Sequence, residues 1–145
     1  MLVLVAVASA LVSLSFRDGD ERRLEEEGAR LAALLEIARA ESRASGRTVR
    51  WVPAGEEDLP DAEGRPPSYR FVGLGSRQSL PERWLDAGVR ARVDGSRVIL
   101  LGPDAILPPQ RVLLSLGSRQ LMVATDGLAP FVAAPVALVP AAPTP

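Results

Sequence analysis

The chemistry open to this chain is limited first by the side chains it lacks. Its 145 residues contain no histidine and no cysteine, so an imidazole base, a thiol nucleophile and a disulfide are all excluded. Acid–base work would fall to carboxylates, whose pKa must be shifted by burial or a nearby charge. The carboxylates of the first 45 residues are predicted on a solvent-facing surface of a helix. No pairing of a nucleophile with a base is apparent in the sequence. We therefore expect a protein without catalytic residues and without enzymatic activity.

An acidic segment is the second candidate for chemistry. Hard cations such as Ca²⁺ prefer carboxylate oxygens arranged around a glycine-assisted turn. The spacing here matches no calcium-binding loop, and Pro60 interrupts it. We interpret the segment as a flexible acidic loop, and we expect no metal and no cofactor. Its carboxylates are Glu56, Glu57, Asp58, Asp61 and Glu63.

A basic patch is the third candidate. Arg90 and Arg92 would share one face of a strand, with Arg97 nearby, and such a patch could contact phosphates. The polar side of a half-buried sheet explains the same pattern. The formal net charge is −1 and no basic residue follows Asp126, so we expect no nucleic-acid partner. The glycine-containing segment at residues 73–76 is too short, and lacks the following helix, to bind phosphate.

The elements that would position these residues begin with an uncharged stretch, residues 1–16. No basic residue precedes its apolar core, which disfavours a cleaved secretory signal. A helix of this length covers about 24 Å, slightly less than the roughly 30 Å of a bilayer core. A helix that is apolar on all sides could also be buried in a protein, but the remaining chain is small for that. A membrane or a multi-subunit core is the better environment for it.

Helical periodicity continues from Asp20 to Ser45. Apolar or small residues recur at spacings of three, four and seven, whereas the opposite side is charged. Asp18 or Asp20 could cap the start of this helix, and Ser45–Gly46 would end it. Residues 1–45 could thus form one long helix. The stripe comprises Leu24, Gly28, Leu31, Leu34, Leu35 and Ala38, and the charged side comprises Glu25, Glu26, Arg30, Glu36, Arg39 and Arg43.

After Gly46 the hydrophobic period changes to two, which predicts about seven short strands. Asp94–Gly95 predicts a hairpin between residues 89–93 and 98–101. A second hairpin is predicted around Gly117–Ser118, and an extended segment at 131–139. The aromatic residues are expected in the core between helix and sheet. The fold class is α+β, with one N-terminal helix packed on a small antiparallel sheet. The aromatic residues in question are Trp51, Tyr69, Phe71 and Trp84.

This layout resembles the type IV pilin-like proteins, and more narrowly the GspH/FimT group. The helix DERRLEEEGARLAALLEIARAESRASGR (20–47) carries the resemblance, with its Leu-Ala-Leu-Leu centre and Ser-Gly-Arg exit. Val-Arg-Trp (49–51), Tyr-Arg-Phe (69–71) and the segments 107–116 and 122–127 resemble the group's strands and late hairpin. Members of the family have a leader ending in Gly, a methylated aromatic residue and a glutamate before the apolar core. In the family this glutamate belongs to a run T-L-I-E-M-L, of which Met1–Leu2 matches only the last two, so we expect a truncated or mis-assigned start.

The resemblance implies a GspH-like minor pseudopilin of the type II secretion system, or alternatively a FimT/FimU-like minor pilin of type IV pili. It implies a single-pass inner-membrane protein with a periplasmic C-terminal domain. The implied partners are other pseudopilins, inner-membrane secretion components and a prepilin peptidase whose site this chain lacks. The expected organisation is a fibre-core half-helix at 1–17, an amphipathic half at 18–46, a sheet domain at 47–140 and a Pro/Ala-rich tail at 141–145.

The resemblance also divides the helix residues by role. One set is expected to anchor the chain in the membrane and to assemble the fibre. The other is expected to pack the helix on the sheet. The first set is Leu2, Val3, Leu4, Val5, Val7, Leu11, Val12, Leu14 and Phe16, and the second is Leu24, Leu31, Leu34 and Leu35.

Overall fold

A computed structural model describes residues 2–55 and 57–136, with side chains from residue 18 onward. One helix, α1 (Leu2–Ser45), makes up the N-terminal third, which confirms the single long helix predicted from the sequence. The predicted cap at Asp18 or Asp20 is wrong, because the helix passes through both residues without interruption. In the described part of the chain, no helix contains an 18-residue segment apolar enough to span a membrane.

The residues proposed as anchor, from Leu2 to Phe16, all lie on the backbone of α1, and their side chains are outside the described part. The tail at 141–145 and the end of the predicted extended segment, 137–139, also lie outside the described residues.

In the part of the chain that the structure describes, seven short strands follow the helix and form two antiparallel sheets. Sheet A has the order β2–β1–β4, and sheet B has the order β3–β5–β6–β7. The hairpin predicted around Gly117–Ser118 joins β5 to β6 and is confirmed by seven residue pairs between these strands. The strands are β1 (Arg50–Pro53), β2 (Tyr69–Val72), β3 (Arg90–Val93), β4 (Ile99–Leu100), β5 (Gln110–Leu116), β6 (Arg119–Thr125) and β7 (Val132–Pro135).

The hairpin predicted at Asp94–Gly95 is wrong. The strands on either side of it belong to different sheets, since Val93 pairs with Val112 whereas Ile99 pairs with Trp51. The backbone N–H of Asp94 donates a 3.0 Å hydrogen bond to the Arg111 carbonyl, which prolongs the β3–β5 pairing. A local Asp-Gly turn preference is worth little against the burial of a whole strand face, and the connection therefore crosses from one sheet to the other.

The two sheets are joined by the side chain of Gln110 at the start of β5. Its amide oxygen accepts a 2.6 Å hydrogen bond from the Leu100 N–H, and its amide nitrogen donates a 2.8 Å bond to the Leu100 carbonyl. The side chain thus satisfies both backbone groups at an edge of sheet A, as a neighbouring strand would.

The core lies between α1 and the inner faces of both sheets. Sheet B packs on the helix through β5, β6 and β7. The alternate residues Val112, Leu114, Leu121 and Val123 point inward and are buried, as the period of two requires. Burying side chains of this size contributes about 1.5–3 kcal/mol each. These buried contacts therefore stabilise the packing of sheet B on the helix.

Candidate functional site

The surface by which the helix holds the sheet is a leucine stripe. Leu24, Leu31 and Leu35 are each at most 2% exposed, and Leu34 is 8% exposed. All four belong to the same hydrophobic cluster as the strand residues. Their spacing places them on one side of a 3.6-residue helix. The residues expected to pack the helix against the sheet are thus buried in the core.

The helix comes very near to sheet B at Gly28. A Cβ atom there would overlap the Leu121 Cδ2 of β6 and lie 3.1 Å from the Ala133 Cβ of β7. The helix axis can come this near only because position 28 has no side chain. By contrast, nothing lies within 4 Å of a Cβ built at Gly19, the other glycine of the helix.

On one side of the stripe, the pair Glu27 and Arg30 holds the loop that precedes β3. Glu27 is 1% exposed, and its Oε1 accepts a 2.9 Å hydrogen bond from the Asp86 N–H. The Arg30 guanidinium donates a 2.9 Å hydrogen bond to the Arg83 carbonyl. The two side chains also face each other at 3.7 Å, so the buried carboxylate has a cationic neighbour.

On the other side, Glu36 and Arg39 hold the loops at the far end of the sheet. Arg39 donates hydrogen bonds of 2.9, 3.3 and 3.4 Å to the carbonyls of Gly127, Ala129 and Ala105. Glu36 accepts a 2.9 Å bond from the Phe131 N–H and lies 3.6 Å from the guanidinium. The prediction that Arg39 faces solvent is wrong, because its side chain is 3% exposed and is the donor for three loop carbonyls.

Sequence reasoning missed the shared pattern of these two pairs. Each is a Glu-x-x-Arg step, and the second follows nine residues after the first. Nine residues turn a helix by about two and a half turns, so the pairs lie on opposite sides of the stripe. The sequence does contain a signal for these two pairs, because a Glu-x-x-Arg step recurs after nine residues directly beside the leucine stripe. That position could have identified the pairs as residues that bind loops rather than as surface residues.

Three of the four aromatic residues predicted in the core fill it beneath sheet A, whereas Phe71 is only partly buried against them. Trp51 and Tyr69 are fully buried, and the Tyr69 and Trp84 rings lie 4.7 Å apart. The Tyr69 hydroxyl donates a 3.3 Å hydrogen bond to the Arg83 carbonyl, and burial raises its pKa above 10.0. Above this cluster is an open groove of about 710 Å³ with a mixed polar and apolar wall.

The acidic loop is organised by arginines. Asp58 forms an ion pair with Arg70 of β2, and Asp61 with Arg83. Asp61 Oδ1 also accepts 2.9 and 3.0 Å bonds from the N–H groups of Arg65 and Glu63, and these bonds lower the pKa of that carboxyl. Within the described residues, no group of three or more acidic side chains is arranged to hold a metal ion.

The arginines of the predicted basic patch are exposed. Arg90 and Arg92 both point outward from β3, whereas Arg97 lies in the connection to β4. The Arg90 guanidinium donates to the carbonyls of Ala87 and Val89, which holds it against its own strand.

No protein-family model and no curated protein matches this sequence. A solved structure does match: the type IV minor pilin FimU of Pseudomonas aeruginosa. The match covers 88% of this chain and 96% of the FimU chain, with a TM-score of 0.53 and 14% sequence identity. The chain has a type IV pilin-like fold.

At 14% sequence identity the match shows the fold alone. This fold places an N-terminal helix against antiparallel sheets, and in this chain the leucine stripe and the two Glu-x-x-Arg pairs make that contact.

Proposed function

We propose that this protein is a non-enzymatic minor subunit of a pilus-like fibre. The observation that carries the proposal is the division of one helix into two parts. Its C-terminal half packs on the sheets, and its first sixteen residues contain no charged side chain. A helix that is apolar on all sides can pass from lipid to a bundle of like helices, because both surroundings are apolar.

In this proposal the segment from Leu2 to Phe16 anchors the chain in the bacterial inner membrane and later packs in the fibre core. The sheet domain faces the periplasm and carries the loops that other subunits contact. A prepilin peptidase, other pseudopilins and inner-membrane assembly proteins are the proposed partners. No cofactor, metal or nucleic acid takes part.

Two kinds of fibre fit this role. The likeness of the helix and strands to the GspH/FimT group supports a type II secretion pseudopilus, and this is our first proposal. The solved structure that the chain resembles is named a type IV minor pilin, which supports a minor pilin of type IV pili as the second.

Deletion of the gene in the source bacterium distinguishes them. Loss of secreted proteins from the medium, with normal surface pili, supports the secretion role. Loss of pili with normal secretion supports the pilus role. Complementation with the full chain should restore the lost property, whereas the Leu11→Arg variant should not, because it places a charge in the apolar helix. Normal secretion together with normal pili in the deletion strain would contradict both roles.

A further inference from the structure

The hydrogen-bond pattern of sheet A leaves one edge of that sheet open. The Leu101 N–H donates a 2.9 Å bond to the Val49 carbonyl, so the odd-numbered residues of β1 bond to β4 and the even-numbered residues bond to β2. A 3.0 Å bond from the Ala54 N–H to the Ser68 carbonyl agrees with this alternation. Phe71 pairs with an odd-numbered residue of β1, so its N–H and its carbonyl point away from β1.

The edge formed by β2 is covered at one end only. The N–H groups of Ser68 and Tyr69 donate bonds of 2.8 and 3.3 Å to the Glu82 carbonyl. In the part of the chain that the structure describes, neither backbone group of Phe71 has a hydrogen-bond partner. An unpaired N–H and carbonyl on an edge strand are the groups to which a further strand binds. We call the backbone of β2 around Phe71 the open edge.

Two other sheet edges of the protein are closed. At the β4 edge of sheet A, the side chain of Gln110 satisfies both backbone groups of Leu100. In sheet B, the edge strand β7 ends at Pro135, which has no N–H, and Pro130 lies just before that strand. Prolines and side-chain caps protect an edge from pairing with another chain. The open edge of β2 has neither of these protections.

The groove above the aromatic cluster lies beside the open edge. Its apolar lining is supplied by Phe71 of β2 and by four residues of the connection from β2 to β3. Leu85 is 71% exposed, whereas Phe71 is only partly buried. The volume of about 710 Å³ falls within the range of roughly 300–1,000 Å³ that is typical of binding pockets. The four residues of the connection are Leu74, Leu80, Trp84 and Leu85.

The charges of the groove are mostly satisfied within the chain. Each of the three arginines of the lining faces a carboxylate, and Glu82 is the one other acidic residue of the lining besides Asp61. Paired side chains gain little from a charged partner, so the groove favours an uncharged segment. The pairs are Arg30 with Glu27 at 3.7 Å, Arg65 with Asp61 at 3.7 Å, and Arg83 with Asp61.

We propose that the open edge of β2 binds an extended, uncharged segment of another protein as an additional strand of sheet A. The backbone of the segment pairs with the N–H and the carbonyl of Phe71. Its alternate side chains are apolar and enter the groove, where they pack on Leu80, Trp84 and Leu85. In this mode of recognition the main-chain bonds supply affinity and the alternate side chains supply specificity. The inference goes beyond the proposed function, because it concerns sheet A and not the apolar half of α1.

Amide hydrogen exchange of the full-length protein in a mild detergent tests this pairing at Phe71 itself. The probe is the uncharged peptide acetyl-Ser-Val-Ser-Val-Ser-Val-Ser-amide, in which alternating valines favour an extended chain. At saturating peptide, exchange of the Phe71 amide should slow by about tenfold or more, because its N–H becomes hydrogen-bonded. The same peptide with methyl groups on its backbone nitrogens cannot donate hydrogen bonds, and it should slow the exchange by less than about twofold.

Two substitutions at position 71 separate the backbone from the aromatic ring. Phe71→Pro and Phe71→Val both remove the ring, but only proline also removes the N–H. Proline is tolerated at such a position, because no bond of sheet A uses that N–H. Peptide affinity, measured by the fluorescence of Trp84 at the groove, should be about tenfold lower for Phe71→Pro than for Phe71→Val.

A second pair of variants tests the groove without changing the strand. Leu85→Arg places a charge in the groove at an exposed position and should lower peptide affinity by about tenfold. Leu128→Arg is the matched control, because Leu128 is 68% exposed and lies in a loop outside the groove, and it should leave the affinity unchanged. Circular dichroism melting of each variant verifies that the fold is intact.

Unchanged exchange at Phe71, equal effects of the two peptides, or equal affinities of Phe71→Pro and Phe71→Val would each overturn the strand contact. Slow exchange at Phe71 that depends on protein concentration, without any peptide, would assign the open edge to a second copy of the chain instead. None of these measurements requires the chain to enter a fibre. A negative result therefore rejects the strand contact and leaves the proposed function standing.

Discussion

The Arg39 guanidinium donates a 2.9 Å hydrogen bond to the carbonyl of Gly127, a residue 88 positions later in the chain. Together with its bonds to Ala105 and Ala129, it ties two loops of the sheet domain to the last third of the helix. The position of these loops is therefore set from within the core by one charged side chain.

Replacing Arg39 by methionine should destabilise the protein strongly. The three loop carbonyls lose their donor and Glu36 loses its partner, so we expect the free energy of unfolding to fall by about 3 kcal/mol. Urea unfolding of the full chain in a mild detergent measures this, with Trp51 and Trp84 in the core as fluorescent probes. Arg43→Met is the control, because Arg43 is exposed on the same helix and should cost less than about 0.5 kcal/mol. Equal losses for the two variants would refute the role of Arg39.

The leucine stripe should not tolerate a charge. Leu35 is fully buried, and Leu35→Asp would bury an unpaired carboxylate, so we expect the sheet domain to be unfolded at 25 °C. Leu31→Asp should behave in the same way. Ile37→Asp is the matched control, since Ile37 is 44% exposed on the same helix. Near-UV circular dichroism reports the aromatic packing, and a native spectrum for Leu35→Asp would show that the stripe is not the core.

Two glycines of one helix should respond oppositely to the same substitution. Gly19→Ala meets nothing within 4 Å and should stabilise the helix by up to about 1 kcal/mol. Gly28→Ala must displace the buried Leu121, at a cost of about 1–3 kcal/mol that exceeds the gain in helix propensity. Denaturant midpoints of the two variants compare them directly. A stabilised Gly28→Ala protein would mean that the helix and sheet B do not approach as closely as described.

The Asp126 carboxylate should make stability depend on acid pH. Its Oδ1 accepts hydrogen bonds of 2.8 and 2.9 Å from the N–H groups of Ala129 and Leu128, and these lower its pKa below 3.8 in the folded state. Because the folded pKa is the lower one, the stabilisation is complete above 3.8 and is lost as the pH falls through the lowered value.

Unfolding free energies measured between pH 5 and about pH 2 check this dependence. Asp126→Asn keeps an oxygen acceptor but does not titrate, so its stability should fall less steeply than that of the original chain. Asp104→Asn changes an exposed residue, and its unfolding free energy should vary with pH as that of the original chain does. If the unfolding free energies of all three proteins depended on pH in the same way, the stabilising role of the Asp126 carboxylate would be contradicted.

Features that depend on local spacing could be predicted from the sequence. The helix and the strand Tyr69–Val72 have clear periods of 3.6 and two, and the β5–β6 hairpin has a two-residue turn with strong alternation on both sides. The leucine stripe follows from the same helical spacing. In each case the residues that determine the structure are neighbours in the chain.

Features that depend on distant partners could not be predicted. Asp94–Gly95 has a hairpin sequence, yet Val93 and Ile99 find their partners in Val112 and Trp51. Arg39 looked like a surface residue because its acceptors are backbone carbonyls, which leave no trace in the side-chain pattern. Gln110 likewise bonds only to the backbone of Leu100, and no composition rule indicates that contact.

The central claim is that this chain is a subunit of a pilus-like fibre, held there by its apolar half-helix. Shearing fibres from the source bacterium and probing them with an antibody against the sheet domain tests it most directly. We predict that the full chain is present in the fibre fraction, and that Leu11→Arg, produced in equal amount, is absent from it. Absence of the original chain from the fibres, or equal incorporation of Leu11→Arg, would contradict the account.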